Sequence, residues 1–268
     1  MLIRYDNMSY MTEAVFHEIS DLLELKRADE HADRKRLLDF GSGIAGPMRS
    51  VARVSDCDAF GMELQADLAE AANELSKMCG MDGSRDDLPC CKVMEGNLLK
   101  MDISENGTLI YEIFELKKFD ALLSTLVILH IPKEDRPPIF EKMVQVLKPG
   151  APIVIEDYVM LKETGFSPAI EEKLVEEVYA QDLATEEVYR AQLEAAGLVD
   201  IKFIDLTATW TDFVTARRNN FIANKDSFVR IQSQRIYDDL LRFYDAVVAC
   251  FESGELGGFR ITARTPSL

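Results

Sequence analysis

One short run limits what this chain can fold into more than any other: Arg36-Leu37-Leu38-Asp39-Phe40-Gly41-Ser42-Gly43-Ile44-Ala45-Gly46-Pro47. An apolar stretch ends in Asp-x-Gly-x-Gly-x-x-Gly, and a helix-compatible segment follows. Glu63 closes the next apolar run, twenty residues beyond Gly43. The pattern predicts a strand, a tight glycine turn into a helix N-terminus, and a second strand with an acid at its carboxyl end. The glycines let the backbone approach a ligand, and the two oxygens of Glu63 can bind ribose hydroxyls. The unit is therefore expected to hold an adenosine-containing cofactor.

The rest of the chain extends this unit. Residues 11–27 place Val15, Phe16, Ile19, Leu22 and Leu23 at helical spacing. Strands are predicted over 36–41, 58–63, 91–97, 119–127 and 151–159. Between them lie helices over 47–54, 65–79, 107–117 and 134–147, the last stopped by Leu147-Lys148-Pro149-Gly150. Strand and helix in alternation imply a parallel sheet with helices on both faces. The runs ALLSTLVIL and PIVIEDYVM are nearly all apolar, as strands buried on both faces require. Beyond residue 160 helices are expected over 168–181 and 185–196, a sixth strand over 200–207, one or two long helices over 211–251, and a last strand from Gly258 to Arg264. The fold class is α/β: a Rossmann-like, seven-stranded, mostly parallel sheet with a helical cap inserted before the last strand. Residues 1–35 form a helical segment closing the site, 36–160 the cofactor-binding core, and 161–268 the end of the sheet with the substrate cap.

Charge excludes one class of partner. Lys and Arg number 30 against 47 Asp and Glu, a net charge of −17. Nucleic-acid binding normally needs a basic face, so DNA and RNA are not expected partners. The five cysteines form neither a C-x-x-C pair nor a Cys/His cluster, which reads as reduced thiols, with no metal site. No apolar run reaches the ~20 residues of a membrane span, and the first residues lack a basic stretch followed by an apolar one. The sequence predicts a cytoplasmic protein, monomeric or homodimeric, with no membrane partner.

Asp39 separates the candidate cofactors. In a dinucleotide site that position is normally apolar, because a carboxylate opposes the pyrophosphate. S-adenosylmethionine has no phosphate, and its ammonium and sulfonium favour a carboxylate. Glu95-Gly96-Asn97-Leu98-Leu99 ends the third strand, where an Asn carbonyl can accept from the adenine amino group and Leu98 can pack on the ring. At this point the chain resembles the class I S-adenosylmethionine-dependent methyltransferases. LLDFGSGIAG matches that family's first motif and GMEL its acidic second. EGNLL matches the adenine motif, FDALLSTLVILHI the fourth-strand motif and LKPGAPIVIEDY the fifth-strand motif. The resemblance implies that Asp39, Gly41, Ser42, Gly43, Glu63, Leu64, Asn97, Leu98 and Ser124 bind S-adenosylmethionine, with S-adenosylhomocysteine as product. Asn97 departs from the commoner Asp, and Ala45-Gly46-Pro47 from a glycine-rich continuation.

Within that family the chain is similar to the phosphoethanolamine and glycine/sarcosine-type N-methyltransferases, through ILHIP, IEDYV, LATEEVYRAQLEAAGL and GGFRITA. The resemblance implies that His130, just past the fourth strand, is catalytic as a base or as partner of an N-terminal tyrosine, either Tyr10 or Tyr5. It also implies that Tyr158 faces the substrate. Three departures argue against a phosphobase: Leu126 stands where that family carries an Asp, its phosphate-binding arginine falls near Tyr179, and its C-terminal lysine falls in the apolar stretch AVVAC. A phosphate dianion without cations would be costly to bury. The expected acceptor is a small polar metabolite bearing a carboxylate, clamped by Arg217 or Arg218, with Trp210, Tyr179 and Tyr237 as an aromatic wall around a cationic product. Methyl transfer goes to nitrogen or sulfur, as in betaine-type or other compatible-solute synthesis. A thioether acceptor such as a methylthio-hydroxy acid needs no base. A protein or RNA methyltransferase is the alternative of another class, and a catalytically inactive cofactor-binding module a third.

Overall fold

The computed structural model describes residues 13–27, 29, 32–97 and 118–267. Tyr5, Tyr10, His31, Leu98 and the helix expected over 107–117 lie outside the described residues.

Seven strands form one sheet in the order β3-β2-β1-β4-β5-β7-β6: β1 (Arg36–Phe40), β2 (Asp58–Glu63), β3 (Cys91–Glu95), β4 (Ala121–Thr125), β5 (Pro152–Met160), β6 (Val199–Asp205) and β7 (Leu256–Arg264). The first five run parallel, and β7 enters antiparallel between β5 and β6. The strand order reverses between β1 and β4, and crevices beyond the carboxyl ends of strands at such a point are where ligands bind. Before β4 come helices α1 (Glu13–Leu22), α2 (Gly46–Ser55) and α3 (Ala66–Met78). After it come α4 (Arg136–Val146), α5 (Pro168–Glu176), α6 (Glu186–Ala195), α7 (Thr207–Ala223), α8 (Lys225–Ile231) and α9 (Gln234–Glu252).

Alternation along the strands sends apolar groups to two layers. Leu37, Leu123 and Val154 meet Phe16, Ile19, Met48 and Val51 of α1 and α2. Leu38, Leu122 and Ile153 meet Phe140, Met143 and Leu193 of α4 and α6. A third cluster lies under the cap, where Tyr158 packs with Trp210, Val247 and Phe251. Arg260 of β7 is buried and bonds Glu156 of β5 and Glu18 of α1, each at 2.7 Å, which ties the first helix to the sheet.

Among the predicted boundaries that move, three do so for a clear local reason. The strand expected over 119–127 stops at Thr125 because Leu126 turns to φ 56°. The helix expected over 168–181 stops at Glu176, and Tyr179 and Asp182 adopt φ 58° and 47°. The long helical stretch over 211–251 is three helices, because Ser233 accepts the Ile236 N–H (3.2 Å) and starts a new one. Among the described residues no helix is long and apolar enough to cross a membrane.

Candidate active site

A cavity of about 970 Å³ opens beyond the carboxyl ends of β1 to β4, within the roughly 300–1,000 Å³ typical of small-molecule sites. Asp39, Gly41, Ser42, Gly43, Glu63, Leu64 and Asn97 all line it, so seven of the predicted cofactor contacts come together. Gly41 sits at φ 71°, and a Cβ there would overlap the Val127 side chain, so the turn closes against the segment after β4 only with glycine. Glu63 holds both sides of the crevice: Oε2 accepts the Gly43 N–H (2.8 Å) and Oε1 the Gln65 N–H (3.0 Å). Each oxygen keeps a further lone pair for a ligand hydroxyl. Asp39 is buried; burial and the nearby Glu63 carboxylate push it up to about 7.

Ser124 departs from its expected place. It is fully buried in β4 and donates its hydroxyl to the Phe40 carbonyl at 3.2 Å. Side-chain alternation presents the next residue instead, and Thr125 lines the cavity. The Thr125 and Ser42 hydroxyl oxygens are buried with no hydrogen-bond partner among the described residues.

His130 ends a 3-10 turn, Ile128–His130, and lines the same cavity. Its Nδ1 lies 2.9 Å from the Tyr179 carbonyl oxygen. A carbonyl only accepts, so Nδ1 carries the proton and Nε2 of the neutral ring is left as acceptor. Tyr179 thus acts on His130 through its backbone, while its exposed side chain also lines the cavity.

Behind His130 lies a second chamber of about 120 Å³. His130 and Leu126 line both spaces, and Tyr158, Arg217, Phe243 and Tyr244 line the smaller one. Tyr158 meets Trp210 and Phe251 edge-on, with ring centroids 6.1 and 5.5 Å away. Arg217 lies over the Phe213 ring at 5.4 Å. The expected aromatic wall is corrected in two places: Trp210 backs Tyr158 in the core, and Tyr237 stacks on Phe221 (4.8 Å) between cap helices, lining neither space. Arg218 points elsewhere and pairs with Asp245 at 3.2 Å.

Asp157 went unnoticed in the sequence. It accepts the N–H groups of Val127, Ile128 and Leu129 and so shapes the turn that carries His130. The signal was present: two adjacent acids inside an apolar strand must each find a partner when buried.

Residues 38–155 match a family model described as a methyltransferase domain. The wheat phosphoethanolamine N-methyltransferase is 26% identical over 240 residues, covering 89% of this chain and 41% of that enzyme; the chain spans less than half of its length. Among solved structures, phosphoethanolamine N-methyltransferase 2 of Haemonchus contortus, in complex with phosphomonomethylethanolamine and S-adenosylhomocysteine, aligns with TM-score 0.72 at 18% identity, over 94% of this chain and 53% of that one. The cyclopropane synthase MmaA2 of Mycobacterium tuberculosis aligns with TM-score 0.75 at 15% identity, over 98% and 88%. Residues 38–155 thus match a methyltransferase domain, and the chain shares the Rossmann-like fold of these structures.

Proposed function

We propose that this chain is an S-adenosylmethionine-dependent methyltransferase acting on the nitrogen or sulfur of a small, carboxylate-bearing metabolite. When bound, S-adenosylmethionine supplies an electrophilic methyl group on its sulfonium. Glu63 accepts from the ribose hydroxyls, Asp39 draws the cationic amino-acid end, and Leu64 and Asn97 flank the adenine.

One observation carries the reading of the acceptor. His130 and Leu126 are the wall shared by the large cavity and the smaller chamber, and Arg217 lines that chamber. An acceptor held by its carboxylate at Arg217 brings its other end to His130. The His130 Nε2 is then placed to take the proton that an amine must lose. The product would be a betaine-like or sulfonium-type compatible solute.

A thioether acceptor is a second reading, and a separate observation favours it. Among the described residues the chamber is lined by apolar and aromatic groups, one imidazole and one guanidinium, with no carboxylate. A cationic amine would lack a counter-charge there, whereas a thioether needs none and loses no proton.

A methyl-transfer panel with labelled S-adenosylmethionine tests both, with glycine, sarcosine, dimethylglycine, phosphoethanolamine and methylthio-hydroxy acids as acceptors. Turnover on an amino acid supports the nitrogen reading, and turnover confined to thioethers supports the sulfur reading. Turnover confined to phosphoethanolamine would overturn the carboxylate-bearing acceptor. For an amine acceptor His130→Ala should lower kcat about 100-fold or more; for a thioether the loss should stay below about tenfold.

A further inference from the structure

Arg136, the first residue of α4, is fully buried, yet among the described residues no carboxylate lies within ion-pair distance of it. Its Nε donates to the Ile131 carbonyl (2.9 Å), and its Nη2 to the carbonyls of Gln181 (2.5 Å) and Asp182 (2.8 Å). The guanidinium lies over the Tyr189 ring at 5.5 Å, and among the described residues Nη1 has no hydrogen-bond partner. A buried guanidinium without an ion pair is expensive, and an apolar side chain would fill the space more cheaply.

What it joins gives the reason. Ile131 follows His130, and Gln181 and Asp182 follow Tyr179, whose carbonyl receives the His130 Nδ1–H. The Gln181 N–H also donates to the Leu129 carbonyl at 2.6 Å. Arg136 therefore spans the turn of residues 128–131 and the loop of 179–182. In that loop Tyr179 and Asp182 are both left-handed, a conformation unfavourable to non-glycine residues and kept only where surroundings enforce it. Asp157 takes the N–H groups at the start of the turn and Arg136 the carbonyl at its end, so opposite charges complement the turn's dipole from both sides.

We propose that Arg136 is the positioning residue for His130: it holds the Tyr179 carbonyl against Nδ1 and so sets the tautomer that leaves Nε2 free to accept. The catalytic consequence rests on the proposed role of His130, but the tautomer does not, and it can be read without turnover.

The sequence contains three histidines, so a nitrogen-15 imidazole spectrum of the whole protein at about pH 8 is simple, and His130→Asn identifies the signal. The wild type should show His130 as the Nδ1–H tautomer, opposite to the preference of a free histidine side chain. In Arg136→Met and Arg136→Lys the signal should move towards Nε2–H, with S-adenosylhomocysteine affinity changed less than about threefold. On any acceptor turned over, kcat should fall about 10- to 100-fold with KM nearly constant, as small misplacements of a catalytic group do. Lysine keeps the charge but lacks the planar fork, and it carries the test if Arg136→Met does not fold. A folded variant in which His130 keeps the wild-type tautomer overturns the proposal, and so does a wild type lacking the Nδ1–H form. An altered tautomer with no turnover in the panel leaves the positioning role standing and overturns only the choice of acceptor.

Discussion

Asp157 Oδ2 accepts the backbone N–H of Ile128 at 2.6 Å, and through that bond the fifth strand shapes the turn that presents His130. The same oxygen takes the N–H groups of Val127 (3.0 Å) and Leu129 (3.3 Å), and Oδ1 takes that of Tyr158 (2.7 Å). Burial pushes this carboxyl up to about 6 even though those N–H bonds pull the other way. The arrangement is a helix-start cap supplied from another strand, not from the preceding residue.

Asp157→Asn should therefore cost both stability and rate. The amide offers one acceptor oxygen where the carboxylate uses two, and its NH2 faces backbone donors. The unmatched N–H groups should cost about 1–3 kcal/mol in a urea melt. The turnover number should fall with cofactor affinity preserved, because Asp157 does not line the cofactor cavity. Loss of S-adenosylhomocysteine affinity in calorimetry, with turnover kept, would contradict this placement.

Asp39 predicts a pH dependence of binding. Its folded-state value, about 7, lies above its ordinary 3.8. The stability this raised value contributes is fully present below about pH 4 and is lost as pH rises through 7. Thermal melts of the ligand-free protein should show Asp39→Asn gaining on the wild type over that interval. A cationic ligand favours the ionised carboxylate, so S-adenosylmethionine should bind more tightly at pH 8 than at pH 6, releasing a proton near pH 7. Calorimetry in buffers of different ionisation enthalpy checks this, and Asp39→Asn should abolish the release.

Glu63→Gln keeps the shape but leaves one acceptor oxygen for the Gly43 and Gln65 N–H groups and the ribose. Hydrogen bonds to a charged group contribute about 1.5–3 kcal/mol, so S-adenosylhomocysteine affinity should weaken about 10- to 100-fold by isothermal titration. Unchanged affinity would remove Glu63 from the cofactor site.

Gly258 lies opposite Tyr158 in the β5–β7 register, and a Cβ there would overlap the Trp210 indole. Gly258→Ala should therefore lower stability by about 1–3 kcal/mol, the usual cost of overpacking. It should also disturb the Tyr158–Trp210 contact behind the smaller chamber. A denaturation curve matching the wild type would show that the indole can shift without cost.

The glycine turn, Glu63, the five parallel strands and the position of His130 were legible in the sequence because each depends on spacing within some twenty residues. Periodicity of two and 3.6 reports burial directly, and the two-sided apolarity of β4 and β5 announced their central place. The cap was less legible: Ser233 begins a helix inside what reads as continuous amphipathic sequence. Tyr158 was named from resemblance and Arg217 only as one of two candidate carboxylate clamps, but the chamber they share exists only where α7 and α9 fold over β5.

The amino-acid order alone determined the strand–turn–helix unit and the acid that follows it, since those features need only local backbone geometry and side-chain alternation. The tertiary structure decided which atoms meet His130. Its partner, the Tyr179 carbonyl, is 49 residues away and belongs to the backbone, which no residue type advertises. Asp157 and Arg136 act on the same turn through main-chain N–H and C=O groups. Such groups are identical in every sequence and become specific only once folding removes water and leaves each buried one in need of a single partner.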